Sequence, residues 1–414
     1  MGNQNKTYSL SKEKIKVLLL EGPHENALNH FRVNDYTNVE YVKGSPEKEE
    51  LKKIIRDVHL IGIRSRTNLT EDVLSHAKKL IAIGCYSIGT NQVDLQAAKL
   101  NGIPVFNAPF SNTRSVAELV VSEAILLIRG IPEKNHLAHL GKWQKDASNS
   151  FEVRGKNIGI VGYGHIGSQV SILAESLGMN VYYYDIVKKL NLGNAKSCDR
   201  LEELLRVSDI VTLHVPETEL TKNMISADQL KLMKKGSYLI NYSRGSVVDL
   251  DDLASALEEK HLFGAAIDVY PEEPSSNKEP FKNVLQKFPN VILTPHIGGS
   301  TLEAQANIAV EVSEKLVNYC DIGSTIGATN FVEISLTPNL DKQRYMHIHK
   351  NQPGVMNKIT RVFTSRKLNI AAEYLQTDPF IGYVIIDIDG KEDSKEILSE
   401  LKSIPGTIKA RVLI

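Results

Sequence analysis

The sequence is poor in several features that define whole classes of proteins. Its three cysteines, Cys85, Cys198 and Cys320, lie far apart and form neither a metal-binding spacing nor a disulfide framework. Lys+Arg and Asp+Glu are equal at 49 each, so a formal net charge of zero gives no support to a nucleic-acid partner. No stretch approaches the roughly 20 apolar residues of a membrane span. We therefore expect a cytoplasmic protein with reduced thiols and no metal, membrane or nucleic-acid partner.

The two ends of the chain differ from its middle. Residues 1–14 are polar and lack the apolar core of a signal peptide, so we expect a mobile tail there. Near the other end, a loose stretch rich in Gly, Ser and Thr at 323–329 is typical of a linker. Beyond it, strand and helix signals follow the order βαββαβ from 344 to 413. This order predicts a small ferredoxin-like domain.

What the middle of the chain does contain is a long alternation of strand and helix signals. Residues 15–110 predict one doubly wound α/β unit, and residues 155–293 predict a second. Apolar helices predicted at 115–129 and 301–319 lead out of the first unit and back to it, which indicates that the second unit is inserted into the first. With the tail, the predicted domains are 1–110 with 300–336, 111–299, and 337–414.

The most specific pattern is the glycine run Gly162-Tyr163-Gly164-His165-Ile166-Gly167. A buried strand is predicted before it at 157–161, a helix after it at 168–177, and a second strand at 181–184 that ends at Asp185. Strand, glycine turn, helix, strand and an acid about 20 residues on form the fingerprint of a dinucleotide site. The inserted unit is therefore predicted to be a Rossmann domain within a flavodoxin-like substrate domain. Asp185 would bind both ribose hydroxyls and repel a 2′-phosphate, which favours NAD over NADP.

Three later strands of the same unit each end in a polar segment. These segments are Asn241-Tyr242-Ser243-Arg244-Gly245, Asp268-Val269-Tyr270-Pro271-Glu272-Glu273-Pro274 and Thr294-Pro295-His296-Ile297-Gly298-Gly299. Ligands of open α/β sheets bind at the carboxyl ends of the strands, so we expect the three segments to converge. Taken singly, a histidine in a turn, glutamates between prolines and a surface arginine are ordinary structural features. Their coincidence at three strand ends favours a site.

An arginine, a glutamate and a histidine suit the oxidation of a 2-hydroxy acid. His296 can take the hydroxyl proton because its reference pKa of about 6.5 lies near neutrality. A glutamate beside it would stabilise the imidazolium and fix the tautomer, and spacing alone does not choose between Glu272 and Glu273. Arg244 offers a planar fork that matches a carboxylate. The cofactor would accept the hydride.

These motifs together resemble the D-2-hydroxyacid dehydrogenase family. The likeness covers the chain from about residue 15, and it is greatest to the short bacterial members that have a serine-binding C-terminal domain of the ACT type, through the segment 107–118 and the βαββαβ tail. The resemblance implies oxidation of 3-phospho-D-glycerate to 3-phosphooxypyruvate, the first step of serine synthesis, in a homo-oligomer expected to be a tetramer. It implies a catalytic set of Arg244, Glu273 and His296, since the proline after Glu273 selects it over Glu272. A side reduction of 2-oxoglutarate, another dianion, is a related expectation.

The resemblance also implies ligand contacts. NAD would be contacted by residues of the glycine turn, the second strand and the three strand-end segments: Gly162, Gly164, His165, Ile166, Gly167, Asp185, Tyr242, Ser243, Arg244, Asp268, His296 and Gly299. Tyr242 stands where relatives usually carry a small residue. A phosphorylated substrate needs further cations, and the expected contacts are Arg64, Ser65 and Arg66. Lys145 is a further candidate, which could reach the site of a neighbouring subunit; a solvated lysine is the structural alternative. For serine as effector the expected contacts are His349, Asn351 and Asn369, at the junction of two tails from different subunits; turn-capping is the structural alternative for these three.

Two other functions remain open at this stage. Glyoxylate and hydroxypyruvate reductases of the same family share the three catalytic residues but generally lack the regulatory tail. A protein that senses the dinucleotide without turnover could also keep them. The tail and the absence of long disordered extensions favour the regulated dehydrogenase.

Overall fold

The computed structural model describes residues 10–274, 278–338, 341–390 and 394–413. The first nine residues of the predicted N-terminal tail lie outside the described residues. By internal contacts the chain forms two compact units, one of residues through Ser111 together with those from Gln305 on, and one of Asn112–Ala304. The division into three domains remains a proposal.

The first unit begins with a five-stranded parallel sheet in the order β2-β1-β3-β4-β5. Except for the partly exposed edge strand β2, its strands are fully buried, as expected of a parallel sheet covered on both faces. The strands are β1 (Val17–Leu19), β2 (Val39–Tyr41), β3 (Leu60–Ile63), β4 (Ala82–Cys85) and β5 (Val105–Phe106). The helices between them are α1 (Asn26–Val33), α2 (Lys48–Ile54), α3 (Glu71–Leu74) and α4 (Leu95–Leu100), with short 3₁₀ turns at Lys12–Lys14 and Ile55–Asp57.

The second unit is built on a seven-stranded parallel sheet in the order β12-β11-β10-β9-β6-β7-β8. Two helices precede the sheet, α5 (Thr113–Ile128) and α6 (Ile131–His139). The strands are β6 (Asn157–Val161), β7 (Asn180–Tyr184), β8 (Lys196–Ser197), β9 (Ile210–Leu213), β10 (Ser237–Asn241), β11 (Leu262–Ile267) and β12 (Val291–Leu293). The other helices are α7 (His165–Ser176), α8 (Leu201–Val207), α9 (Ala227–Leu232) and α10 (Leu250–Glu258), with 3₁₀ turns at Gly245–Val247 and Val284–Lys287.

The strands of this second sheet end in register. Val161, Leu213, Asn241, Ile267 and Leu293 pair in sequence across the five strands β6, β9, β10, β11 and β12. Because parallel strands point the same way, the residues that follow these five positions share one edge of the sheet. The expected convergence of the three polar segments is a direct result of this register.

The chain returns to the first unit along α11 (Leu302–Ile322). A four-stranded antiparallel sheet follows in the order β14-β15-β13-β16, the ferredoxin-like arrangement expected for a βαββαβ tail. Its elements are β13 (Gln343–Lys350), α12 (Val355–Thr364), β14 (Ile370–Thr377), β15 (Ile381–Ile388), α13 (Ser394–Ser403) and β16 (Thr407–Val412). The predicted fold class, two doubly wound α/β regions with a ferredoxin-like tail, is therefore confirmed.

Within the first unit, one face of the four-stranded sheet packs against α11 and the core of the five-stranded sheet. Met346, Ile348 and Tyr383 belong to the same buried cluster as Val312 and Leu316 of α11. The buried guanidinium of Arg344 donates to both oxygens of Asp387 at 2.7 and 2.8 Å. Tyr345 lies on the other face of β13, in the buried cluster formed with α12 and α13, so β13 is covered on both faces and is buried along nearly its whole length.

Among the described residues, no helix is both long enough and apolar enough to cross a membrane.

Candidate active site

The glycine turn after β6 has three glycines in three different environments. Gly162 has φ +89°, and a Cβ on it would lie 2.3 Å from the carbonyl oxygen of His214. A Cβ on Gly167 would lie 2.2 Å from the carbonyl oxygen of Gly162, so the first turn of α7 packs directly on the strand end. A Cβ on Gly164 would meet no atom within 4 Å. The first and third glycines are required by the protein itself, whereas the middle one faces open space where a pyrophosphate would fit.

Helix α7 begins at His165, three residues before the start predicted from the sequence, with Gly164 as its N-cap. The first turn therefore holds His165 and Ile166, which are exposed and half-buried respectively. No side chain caps this end, so the amide dipoles point outward from the turn. An uncapped helix N-terminus behind an open glycine is a fitting cradle for a phosphate.

Asp185 lies just past the end of β7, as the fingerprint requires. Its Oδ2 accepts the Tyr163 amide at 2.8 Å and its Oδ1 accepts the Val187 amide at 2.8 Å. These two bonds fix the carboxylate beside the glycine turn, and each oxygen retains a lone pair for a ribose hydroxyl. The residues present therefore fit NAD.

The segment after β10 is organised by a buried amide. Asn241 accepts the Ser243 amide and hydroxyl at 3.0 and 2.8 Å, and its Nδ2 donates to the Arg244 carbonyl at 3.0 Å. Gly245 has no room for a side chain, since a Cβ there would lie 2.0 Å from the Tyr270 carbonyl carbon. The turn thus holds Arg244, which is half-buried, in one position at the end of the strand.

His296 and Glu273 form the central pair of the site. The Nδ1 of His296 lies 2.8 Å from Oε2 of Glu273 and 3.1 Å from its Oε1. His296 holds a left-handed backbone conformation, φ +54°, which is uncommon outside glycine and is a mark of functional turns. The histidine side chain is 53% exposed and the glutamate 36%, so a substrate can reach them. Glu272, the neighbour that spacing did not exclude, is exposed and has no bond to His296.

The contact between His296 and Glu273 shifts the pKa of each group in the direction that suits base catalysis. The hydrogen bond that His296 donates to Glu273 raises the pKa of His296, although burial acts in the opposite sense. Burial alone would raise the pKa of Glu273, but the bond to His296, the imidazolium charge and Arg244 together hold the pKa of this carboxyl below its ordinary value. The charge of Arg244 lowers the pKa of both partners, so all three groups are electrostatically linked.

Asp268 is used to hold the histidine loop. It is 1% exposed, and its carboxylate accepts the Thr294 hydroxyl at 2.7 Å and the Ile297 and Gly298 amides at 2.8 Å. Burial raises the pKa of Asp268 and these three donors lower it, with a net upward shift. Its geometry makes it a support for His296, and its contribution to cofactor binding stays a prediction.

Tyr242 has a buried neighbour, Glu123, that was not predicted from the sequence. Tyr242 lies 3.2 Å from the Thr294 hydroxyl, and its ring would be only 3.0 Å from a Cβ on Gly298. Its phenol is electrostatically coupled to Glu123 of α5, a carboxyl that is almost fully buried and whose pKa burial raises to about 7. The Oε2 of Glu123 has no hydrogen-bond partner among the described residues. The bulky Tyr242, where a small residue was expected, is thus accommodated by a carboxylic acid on the adjacent helix. The position of Glu123 between the apolar stretches 119–121 and 124–128 of α5 is the one sequence signal that could have indicated it.

A second residue missed by the sequence analysis is His214, directly after β9. Its Nε2 lies 2.9 Å from the Thr212 hydroxyl, and its Nδ1 has no hydrogen-bond partner among the described residues. Burial lowers the pKa of His214 to about 3, so the ring is neutral. The backbone carbonyl of His214 is the group that leaves no room for a side chain on Gly162.

The residues expected to bind a substrate phosphate are divided between the two units. Arg64, Ser65 and Arg66 follow β3 in the first unit, where Arg64 donates to Gln305 Oε1 at 2.8 Å and the other two side chains are exposed. Lys145 belongs to the second unit and is exposed. The structure therefore brings together the first three as one cationic loop.

The residues expected to bind serine do not converge within one chain. His349 is almost fully buried at the end of β13, and Asn351 follows that strand and donates to the Asp378 carbonyl at 2.7 Å. Asn369 precedes β14 and donates to Asp389. In the sheet register, Lys350 pairs with Ile381 and Ile370 with Ile388, so the two asparagines lie at opposite ends of β15.

Among the described residues, no group of three or more His, Cys, Asp and Glu side chains is arranged to hold a metal ion.

Comparison with known proteins gives two family matches. Residues 121–298 match the model described as "D-isomer specific 2-hydroxyacid dehydrogenase, NAD binding domain". Residues 345–409 match an "AHAS small subunit-like ACT domain". The two matches cover the seven-stranded sheet and the C-terminal antiparallel sheet.

Curated relatives span nearly the whole chain. The D-3-phosphoglycerate dehydrogenase of Escherichia coli K12 is 59% identical over 406 residues, covering 98% of this chain and 99% of the relative. D-3-phosphoglycerate dehydrogenase 1 of Saccharomyces cerevisiae is 46% identical, covering 96% and 87%. Among solved structures, the D-lactate dehydrogenase of Aquifex aeolicus complexed with NAD and lactic acid matches with a TM-score of 0.64 and 29% identity, over 73% of this chain and 95% of that one.

Proposed function

Because this chain belongs to the D-isomer specific 2-hydroxyacid dehydrogenase family, we propose that it oxidises 3-phospho-D-glycerate to 3-phosphooxypyruvate with NAD. Residues 121–298 are its NAD-binding domain, and residues 345–409 are an ACT domain. The observation that carries the proposal is the 2.8 Å contact between His296 and Glu273. Both residues follow strands of the sheet that also carries the glycine turn. The high identity to curated phosphoglycerate dehydrogenases supports the choice of substrate.

His296 is the base in this proposal. A carboxylate accepts only, so the Nδ1 facing Glu273 carries a proton and the lone pair lies on Nε2, which takes the proton of the substrate hydroxyl. Glu273 stabilises the imidazolium formed in this way. Arg244 binds the substrate carboxylate as a bidentate fork and orients the hydroxyl toward the histidine.

NAD, when bound, accepts the hydride from the substrate carbon. Gly164 and the first turn of α7 would hold its pyrophosphate, and Asp185 its adenosine ribose. Asp268 keeps the 294–298 segment in place through the three bonds described above, so it acts on the reaction through His296.

The phosphate of the substrate needs cations outside the catalytic set. We assign this role to Arg64, Ser65 and Arg66. Lys145, an exposed residue of the second unit, is a further candidate that would act at the site of a neighbouring subunit. Two arginines and a hydroxyl on one short loop are suited to a phosphate because guanidinium groups match its oxygens in pairs.

Regulation by serine is the finer part of the proposal. His349, Asn351 and Asn369 supply the donors and acceptors that an amino acid needs. Since the two asparagines lie at opposite ends of one sheet, a site that uses both requires a second copy of the chain. This supports a homo-oligomer, with a tetramer as the expected form, and serine at the junction of two ACT domains.

The direct test is the rate of NADH formation from 3-phosphoglycerate, measured with and without serine. We expect turnover that falls as serine is added. No turnover of this substrate would overturn the assignment, and full activity at saturating serine would overturn its regulatory half. NADH oxidation with 2-oxoglutarate tests the proposed side reaction separately.

Two alternatives make different predictions in the same assay. A glyoxylate or hydroxypyruvate reductase would prefer a substrate without phosphate. An NAD-sensing protein would bind NADH and turn over none of these acids. Near-complete coverage by curated dehydrogenases argues against both.

A further inference from the structure

The turn that follows β1 contains a buried glutamate that the proposed mechanism does not use. Glu21 lies in the first unit, in a left-handed backbone conformation with φ +63°. Its side chain is only 1% exposed. An unpaired carboxylate at this depth would be costly, so its partners identify what it is for.

Those partners are the backbone amides of the cationic loop. The Oε1 of Glu21 accepts the Arg64 amide at 3.1 Å and the Thr67 amide at 2.8 Å, and its Oε2 accepts the Arg66 amide at 3.0 Å. One carboxylate thus binds three of the four amides of residues 64–67. Hydrogen bonds to an ionised acceptor are about twice as strong as neutral ones, and burial strengthens them further.

Other contacts fix the same loop from outside but leave its tip accessible. Gln92 donates to the Arg64 carbonyl at 2.6 Å, and the Thr67 hydroxyl lies 2.9 Å from that of Ser45. The side chains of Ser65 and Arg66 remain exposed, with Arg66 at 52%. The backbone is therefore held while the groups that would meet a ligand stay free to do so.

We propose that Glu21 is a positioning residue that fixes the Arg64–Thr67 backbone so that its side chains bind the phosphate of the substrate. This inference rests on the proposed function, and it deepens it by naming what builds the phosphate site. Glu21 touches no substrate in this account and acts through the loop.

Two effects of Glu21 on anion binding oppose each other. Its negative charge lies 3.6 Å from Nε of Arg66, so removing it would make the loop more attractive to phosphate. Its three amide bonds hold the loop in shape, so removing them would weaken phosphate binding. We expect the second effect to dominate, because the exposed Arg66 side chain is screened by solvent whereas the amide bonds are buried.

The test compares two substrates in the direction of reduction: 3-phosphooxypyruvate, and hydroxypyruvate, which lacks the phosphate. In Glu21→Gln we expect kcat/KM for the phosphorylated acid to fall on the order of 10- to 100-fold, mainly through KM. Hydroxypyruvate turnover and the KM for NADH should change less than about twofold. The control is Glu25→Gln, an exposed glutamate in the same turn that loses the same charge. A tighter KM for the phosphorylated acid, or an equal loss with both acids, would overturn the proposal.

A double-mutant cycle sharpens the assignment. If Glu21 acts through the loop, Glu21→Gln should cost little in a chain that already carries Arg66→Met, so the two effects should be non-additive. Full additivity would mean that Glu21 acts elsewhere. Glu21→Asp keeps the charge but is one methylene too short for the same three bonds, and it should behave like Glu21→Gln.

Hydrogen exchange on the unmodified protein needs neither a folded variant nor any activity. The amides of Arg64, Arg66 and Thr67 should be protected without ligand, and rapid exchange at all three would contradict the proposal. If the protein failed to reduce 3-phosphooxypyruvate at all, the proposed function would fail, while this measurement would still decide whether Glu21 fixes the loop.

Discussion

The two parallel sheets of this chain follow the same scheme, but the turn after the first strand of each has opposite electrostatics. After β6, the glycine turn presents the uncapped start of α7 to open space at Gly164. In the corresponding turn after β1, the carboxylate of Glu21 points inward and accepts hydrogen bonds from backbone amides of the Arg64–Thr67 loop. One turn therefore offers donors to an anion from outside, and the other supplies an anion to its own donors. The two sheets share one scaffold, and a few residues in the turn after the first strand decide whether that turn binds a cofactor or holds the Arg64–Thr67 loop.

The largest effect should separate chemistry from recognition. His296→Asn removes the proposed base, which follows a strand of the second sheet, and we expect kcat to fall about 10³-fold with little change in NAD affinity. Steady-state kinetics and NADH titration measure the two quantities. If NADH affinity fell and kcat did not, His296 would have a structural role. The second sheet would then differ from the first in cofactor binding but not in catalysis through this residue.

The next comparison uses the glycines of the two turns. Gly162→Ala forces a Cβ within 2.3 Å of the His214 carbonyl oxygen at φ +89°, and we expect a loss of about 2–4 kcal/mol in unfolding free energy. Gly22→Ala, at φ +56° with its closest contact at 3.5 Å, should cost about 1–2 kcal/mol and leave NAD affinity unchanged. Gly164→Ala should fold normally and weaken NAD about tenfold. Equal stability losses at Gly162 and Gly164 would refute the assigned roles.

The third prediction concerns pH. Glu273 raises the pKa of His296 above its ordinary value of 6.5. As the pH falls through this raised pKa, the proposed base becomes protonated and the rate of oxidation should decrease. In Glu273→Gln this support is absent, so the acid limb of kcat/KM for oxidation should move to lower pH while the maximum rate falls about 10-fold or more. A pH profile from 5 to 9 measures both changes. An unmoved limb would show that the limb belongs to another group.

The fourth prediction concerns the stability of the fold around the buried Glu123. Its folded-state pKa, about 7, lies above the ordinary 4.5, so its contribution to stability is present below pH 4.5 and is lost as the pH rises through 7. The free energy of unfolding of Glu123→Gln should therefore exceed that of the unmodified protein by up to about 2–3 kcal/mol at pH 8, and by little at pH 5. Urea unfolding at both pH values checks this, with the exposed Glu118→Gln on the same helix as control. A pH-independent difference would contradict the assignment of a neutral carboxylic acid.

Much of the second sheet could be predicted from the sequence because its signals are local. The glycine spacing, the apolar strands and the polar residues at their ends lie within short windows, and the strand register aligns them without further information. The helix start at His165 was misplaced by three residues, since the last glycine of the run lies inside the helix and was assigned to the turn. The resemblance to the D-2-hydroxyacid dehydrogenases is confirmed by the relatives.

The supporting residues could not be predicted because their partners are distant in sequence. Glu21 meets Arg66 and Thr67 only once β1 and β3 are paired. Glu123 meets Tyr242 only when α5 packs on the sheet, and Asp268 finds its donors only when β12 ends beside β11. Glu21 has no local sign of burial, Glu123 is marked only by the apolar residues around it, and the segment of Asp268 indicates a site but not the amides that its carboxylate accepts.

The most direct test of the division of roles between the two turns is kcat/KM of Arg66→Met with 3-phosphooxypyruvate and with hydroxypyruvate. We predict a loss of about 10- to 100-fold for the phosphorylated acid and less than about twofold for the other, because a bond from a guanidinium to phosphate is removed and the chemistry of the second sheet is untouched. An equal loss with both acids, or no loss with either, would contradict the account.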